Sequence, residues 1–145
     1  MIKNLYLGAG AMKAGTTWLY SQLNEHPDLY FTPEKEIHFI ASFFKKSEVL
    51  SLNNRLSRTK DAFERNSQRA YPGYYHNLKW YSIYLEKEID FSWYARLFSL
   101  NKASKVNCDF SNLTCLISQK DWSTIQMLVE NLKVTYVLRL SLIHI

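Results

Sequence analysis

The fold this sequence predicts is α/β, a mainly parallel sheet flanked by helices, and three observations point to it. A short apolar run, Leu5-Tyr6-Leu7, enters a turn of small residues and comes out as an amphipathic segment opening at Thr16. Gly10 and Gly15 stand in the frame Gly-x-x-x-x-Gly, which gives the strand–turn–helix unit a P-loop-like character. Farther along, strand-like runs at 105–111 and 134–138 are separated by a helical stripe, the alternation that builds a parallel sheet.

Taken in order, Met1 to Gly8 reads as the first buried strand. From Thr16 the apolar residues Leu19, Tyr20 and Leu23 recur at helical spacing, and Asn24-Glu25-His26-Pro27 stops the helix, because proline cannot continue it. His26 reads as a helix-end residue satisfying a carbonyl. Leu29-Tyr30-Phe31 is a short strand ending at Thr32-Pro33. In Glu34-Lys35-Glu36-Ile37-His38-Phe39, alternation sets Glu36 and His38 on one side and Ile37 and Phe39 on the other. A solvated charged loop is the plainer reading of that segment.

Residues 42–69 are basic and polar, with helical turns expected around Val49–Leu56 and Asp61–Asn66. They form either a solvated surface or a glycan- or nucleotide-facing patch. Tyr71-Pro72-Gly73-Tyr74-Tyr75 reads as a turn. The pairs Trp80-Tyr81 and Trp93-Tyr94 suit core packing more often than ring stacking on a ligand. Lys105 to Ser111 reads as a strand running into a polar turn. There Asp109 orients Lys13 or contacts an acceptor, with a cap or turn role equally open. Asp121 reads as the N-cap of a helix carrying Ile125, Leu128, Val129 and Leu132, and Val134 to Leu138 as a buried strand ending at Arg139.

The turn after the first strand carries the chemistry. Its glycines allow backbone conformations that turn N–H groups inward, and the helix that follows offers unpaired N–H groups and a positive dipole end. Phosphate or sulfate is the natural guest of such a site. The lysine stands at Lys13, inside the turn, and Thr16 follows Gly15 where a nucleotide triphosphatase carries its lysine. An empty small-residue turn is the plain alternative.

Lys13-Ala14-Gly15-Thr16-Thr17-Trp18-Leu19 resembles the 5′-phosphosulfate loop of sulfotransferases that use 3′-phosphoadenosine 5′-phosphosulfate (PAPS). His26-Pro27 followed by Lys35-Glu36-Ile37-His38-Phe39 is similar to the next block of the branch that includes bacterial and heparan-type carbohydrate sulfotransferases. Trp93 to Phe98 resembles a later helical element of that branch. The resemblance implies PAPS as co-substrate and a hydroxyl or amine acceptor, carbohydrate in this branch. It implies no metal and no nucleic acid. Lys13, Ala14, Gly15, Thr16, Thr17 and Trp18 would hold the phosphosulfate, with Lys13 also catalytic. Glu36 would be the general base, His38 its neighbour in the acceptor cleft, and Arg139 a ligand of the 3′-phosphate. It also implies that residues 1–139 are the N-terminal part of a sulfotransferase domain, hence an incomplete one. Residues 140–145, Leu-Ser-Leu-Ile-His-Ile, depart from the pattern and read as a non-native tail.

Composition narrows the classes. A hydrophobic content of 47% and 15% aromatic residues mark a globular chain, with 145 residues enough for one core. A net charge of +5 favours an anionic partner without naming it. No bilayer-length apolar stretch and no signal-peptide pattern appear. Cys108 and Cys115 read as reduced core thiols, which together suggest a cytoplasmic setting. Two other classes stay open: a P-loop kinase or nucleotide triphosphatase, weakened by the displaced lysine and the lack of an evident acidic strand-end residue, and a basic polyanion-binding module.

Overall fold

The computed structural model describes residues 1–67, 74–101 and 105–138, the side chains of residues 66, 67, 74 and 75 excepted. Arg139, the tail at 140–145 and the turn residues 71–73 lie outside the described residues. Four strands, β1 (Ile2–Gly10), β2 (Leu29–Phe31), β3 (Val106–Asp109) and β4 (Val129–Tyr136), form one sheet in the order β2-β3-β1-β4, every pairing parallel. Among the described residues six helices accompany it: α1 (Thr16–Asn24), α2 (Phe39–Phe43), α3 (Leu52–Ser67), α4 (Tyr74–Tyr84), α5 (Phe91–Arg96) and α6 (Gln119–Leu128), with a 3₁₀ turn at Asn112–Leu116. The α/β fold with a parallel sheet stands. No helix among the described residues is long and apolar enough to cross a membrane.

Central position explains why β1 is almost continuously apolar. It pairs with β3 on one side (Leu5 beside Asn107, Leu7 beside Asp109) and β4 on the other (Leu7 beside Val134), so Leu5, Leu7 and Ala9 are buried. Gly8 is required by close approach: a Cβ there would meet the Phe110 ring at 2.5 Å.

Helices α4 and α5 bring the aromatic pairs into the core, as packing predicts. Trp80 and Tyr84 stack at 4.8 Å and Phe39 on Tyr94 at 4.4 Å. Each buried indole N–H has an acceptor, Trp80 on Leu97 O and Trp93 on Ile83 O, both at 2.8 Å. Asp90 caps α5 by accepting from Trp93 N at 2.6 Å.

Several expectations are corrected. The helical turns expected around Val49–Leu56 and Asp61–Asn66 join in one helix, α3, which begins at Leu52, and Arg55 on it does not stay on the surface. Its guanidinium is buried over Trp93, 5.7 Å from the ring centroid, and donates to the carbonyls of Leu50, Tyr84 and Glu86. The turn at Tyr71–Tyr75 gives way at Tyr74, where α4 begins. Ser118, not Asp121, is the N-cap of α6; Asp121 is three residues inside and closes a capping box on Ser118. The helical stripe ends at Leu128, and Val129 and Leu132 belong to β4, since the open side of β1 offers them a ladder. That strand is the sheet's margin among the described residues and mostly exposed, not buried. Cys108 is buried, but Cys115 is exposed.

Candidate functional site

The turn between β1 and α1 is fastened at its start: Ala11 N donates to Val137 O at 3.0 Å and Val137 N to Gly10 O at 2.8 Å. Gly15 occupies the N-cap of α1 at φ 87° with no side-chain cap. The first helical hydrogen bond runs from Leu19 N to Gly15 O at 3.1 Å. Helix geometry therefore leaves Thr16, Thr17 and Trp18 N–H without intrahelical acceptors. Thr16 is half-buried; Lys13, Thr17 and Trp18 are exposed, and Ala14 is intermediate. Lys13 takes φ 57°, a left-handed conformation that costs a lysine of order 1–2 kcal/mol.

The Lys-Glu block reaches this helix mouth. Lys35 Nζ donates to Thr17 Oγ1 at 3.0 Å and lies 5.7 Å from the Tyr20 ring centroid. The same ammonium is 3.7 Å from Glu36 Oε1, and Glu36 Oε2 is 3.3 Å from His38 Nε2. Thr17, Lys35, Glu36 and His38 thus form one chain of polar contacts from α1 to the block. The hydrogen bond from His38 holds the Glu36 carboxyl below its ordinary range, aided by the charges of Lys35 and Arg58 and opposed by partial burial. Arg58 donates to Glu36 O at 2.8 Å and fixes the backbone there.

Ile37 and Phe39 are buried, but the expected alternation is corrected: His38, set on the opposite side with Glu36 and beside an acceptor cleft, is only 4% exposed and is buried with them. It stands at the N-cap of α2 with φ 61°. Its N–H donates to Ser111 Oγ at 2.8 Å, Ser111 Oγ donates to Asp109 Oδ1, and Tyr94 Oη donates to Asp109 Oδ2 at 2.8 Å. A strained residue over-determined by a buried network marks a place where geometry is being held.

Asp109 ends β3 beside Leu7 of β1, so an acidic strand-end residue is present after all. Its carboxylate is buried and accepts from Tyr94 and Ser111. Burial pushes its carboxyl up, outweighing the hydrogen bonds that lower it. An acid raised in the folded state binds its proton more tightly folded than unfolded. Its contribution to stability therefore falls as pH rises from the ordinary aspartate range through the folded value. Tyr94→Phe removes one donor, and we expect a loss of about 1–3 kcal/mol by denaturant titration, with a steeper decline as pH rises from the ordinary aspartate range. Unchanged stability at neutral pH would mean the network is not held as described.

At His26 the helix-end role stands: its N–H donates to Leu23 O at 3.0 Å, and its ring accepts from Asp28 N at 3.2 Å. Lys35 went unassigned in the sequence, where only its place before Glu36 marks it. No local pattern says that it reaches Thr17. No group of three or more metal-ligating side chains occurs among the described residues. Comparison with protein-family models, with curated proteins and with solved structures finds no match.

Proposed function

We propose that the chain carries the donor-side site of a PAPS-dependent sulfotransferase acting on a hydroxyl or amine, carbohydrate by its sequence resemblance. One observation carries this reading: the two motifs, eighteen residues apart at Thr17 and Lys35, join through a 3.0 Å hydrogen bond. An unrelated turn and a solvated charged loop have no reason to meet. The strand order β2-β3-β1-β4, with the turn after the central strand, also suits a P-loop-like arrangement.

In this reading the N–H groups of Gly15 to Trp18 and the hydroxyls of Thr16 and Thr17 hold the anionic end of the donor. Lys13 faces the charge that develops on the bridging oxygen as the S–O bond breaks. Lys35 ties the threonine to the block, and the hydrogen bond from His38, aided by the Lys35 charge, keeps Glu36 ionised. Glu36 takes the proton of the attacking group, and His38 fixes its direction. Arg139 lies outside the described residues and stays a sequence-based proposal for the 3′-phosphate. The donor itself supplies an activated sulfuryl group.

Calorimetry with 3′-phosphoadenosine 5′-phosphate against Mg·ATP tests the donor. The expected result is saturable heat with the former, lost in Lys13→Ala, and weaker heat with the latter. Tighter Mg·ATP binding would move the chain to the nucleotide triphosphatases. Strongly salt-dependent polymer binding that survives Lys13→Ala would make it a polyanion module.

A further inference from the structure

Successive residues of the Lys-Glu block have their backbone tied to other elements. Glu36 O accepts from Arg58 Nη1 of α3 at 2.8 Å, and His38 N–H donates to Ser111 Oγ, just past β3, at 2.8 Å. Between them the N–H of Ile37 acts on the Asp109 carboxyl, one of the groups that pull it down against the rise that burial causes. His38 is held left-handed at φ 61°, and Ser111 is buried. A buried N–H without an acceptor costs about 1–3 kcal/mol, so the Ser111 hydroxyl is what lets that conformation persist.

The hydroxyl is itself oriented. Ser111 Oγ accepts from His38 and donates to Asp109 Oδ1, so its proton points away from the block and its lone pair toward it. Tyr94 Oη donates to the other carboxylate oxygen at 2.8 Å. An ionised carboxylate only accepts, which leaves the serine no opposite polarity. The imidazole completes the line. His38 Nε2 is 3.3 Å from Glu36 Oε2, whereas Nδ1 is buried with no hydrogen-bond partner among the described residues. A proton on Nδ1 would be an orphan donor, so the ring's proton belongs on Nε2, facing Glu36. The support is buried and the group it serves is not: the His38 side chain is 5% exposed and that of Glu36 28%.

We propose that Ser111 is a positioning residue: by holding the His38 backbone it aims the imidazole Nε2–H at Glu36 and fixes that carboxylate, with Asp109 orienting the serine. That Glu36 is the catalytic base rests on the sulfotransferase reading; the coupling of Ser111 to Glu36 does not. The test is a carbon-13 titration of the Glu36 carboxyl in the intact chain. Among the described residues the groups acting on it are His38 and Lys35 beside it and Arg58 of α3, and the hydrogen bond from His38 is the largest influence. Ser111→Ala should therefore let the Glu36 carboxyl rise toward the ordinary glutamate range. Tyr94→Phe loosens the same buried network but leaves the serine on His38, so it should leave that titration nearly in place. In a radiolabelled-sulfate assay Ser111→Ala should lower turnover by at least about tenfold, the cost of a misplaced reacting group. Binding of 3′-phosphoadenosine 5′-phosphate should stay within about threefold of parental, since the serine touches no donor group. An unmoved Glu36 titration or parental turnover in Ser111→Ala, or an equal rise in Tyr94→Phe, would overturn the proposal. Should Ser111→Ala fail to fold, the parental chain decides: nitrogen-15 spectra above the histidine titration range should show the His38 proton on Nε2 and Nδ1 bare. The opposite tautomer would overturn the proposal. A Glu36 shift in Ser111→Ala without any heat from 3′-phosphoadenosine 5′-phosphate would sink the sulfotransferase reading and leave the positioning role standing.

Discussion

Alanine at position 13 should lower sulfuryl transfer by at least about 10²–10³-fold, the usual loss when a preorganised donor aimed at developing charge is removed. Lys13 stands in the turn between β1 and α1, at an exposed position three residues before the first residue of α1. Because its φ of 57° is itself strained, a second variant separates charge from backbone. Lys13→Gly deletes the ammonium while relaxing the left-handed conformation. Both variants should be equally inactive in a radiolabelled-sulfate transfer assay, with Lys13→Gly at least as stable as Lys13→Ala. Transfer at the parental rate by either one would remove Lys13 from the mechanism.

Glu36→Gln should cost about 10²–10⁴-fold in turnover, the range a positioned general base supplies. Binding of 3′-phosphoadenosine 5′-phosphate should change far less. The structure adds a pH signature. The hydrogen bond from His38 lowers the Glu36 carboxyl, so the base stays ionised to more acidic pH than an ordinary glutamate. The acid limb of the rate profile should therefore lie below the usual glutamate range, and His38→Ala should move it upward. The same depression stabilises the fold above the unfolded glutamate value and is lost as pH falls through the folded one. A profile whose acid limb ignores His38→Ala would separate the histidine from the base. Turnover at the parental level in Glu36→Gln would remove Glu36 from that role.

Local chemistry made the front of the chain legible. The apolar run to Leu7, the small-residue turn and the stop at Pro27 fix β1 and α1 within a few residues, because each signal is a steric or hydrogen-bonding constraint on its own neighbours. The C-terminal part defeats the same reading. Leu128, Val129 and Leu132 have helical spacing, but the vacant side of β1 makes a ladder available that spacing cannot see. Arg55 looks like one more surface cation until the carbonyls of nearby Leu50 and of distant Tyr84 and Glu86 take up its guanidinium. At the candidate site, residue types were readable and partnerships were not. Glu36 stood out by its block, whereas Lys35 on Thr17 and Ser111 under His38 are long-range contacts. Asp109, open to several roles in one dimension, is claimed by the core in three.

The placement of β4 at the margin has a consequence for how the molecule behaves in company. Among the described residues no strand lies along its outer edge, and such an edge is a template on which an extended peptide can lay a further ribbon. Val134 and Tyr136, each about half uncovered, would reward such an addition with apolar contact. Glu130 and Lys133 are the charges that discourage indiscriminate sticking there, the device by which sheets keep an open border from seeding fibres.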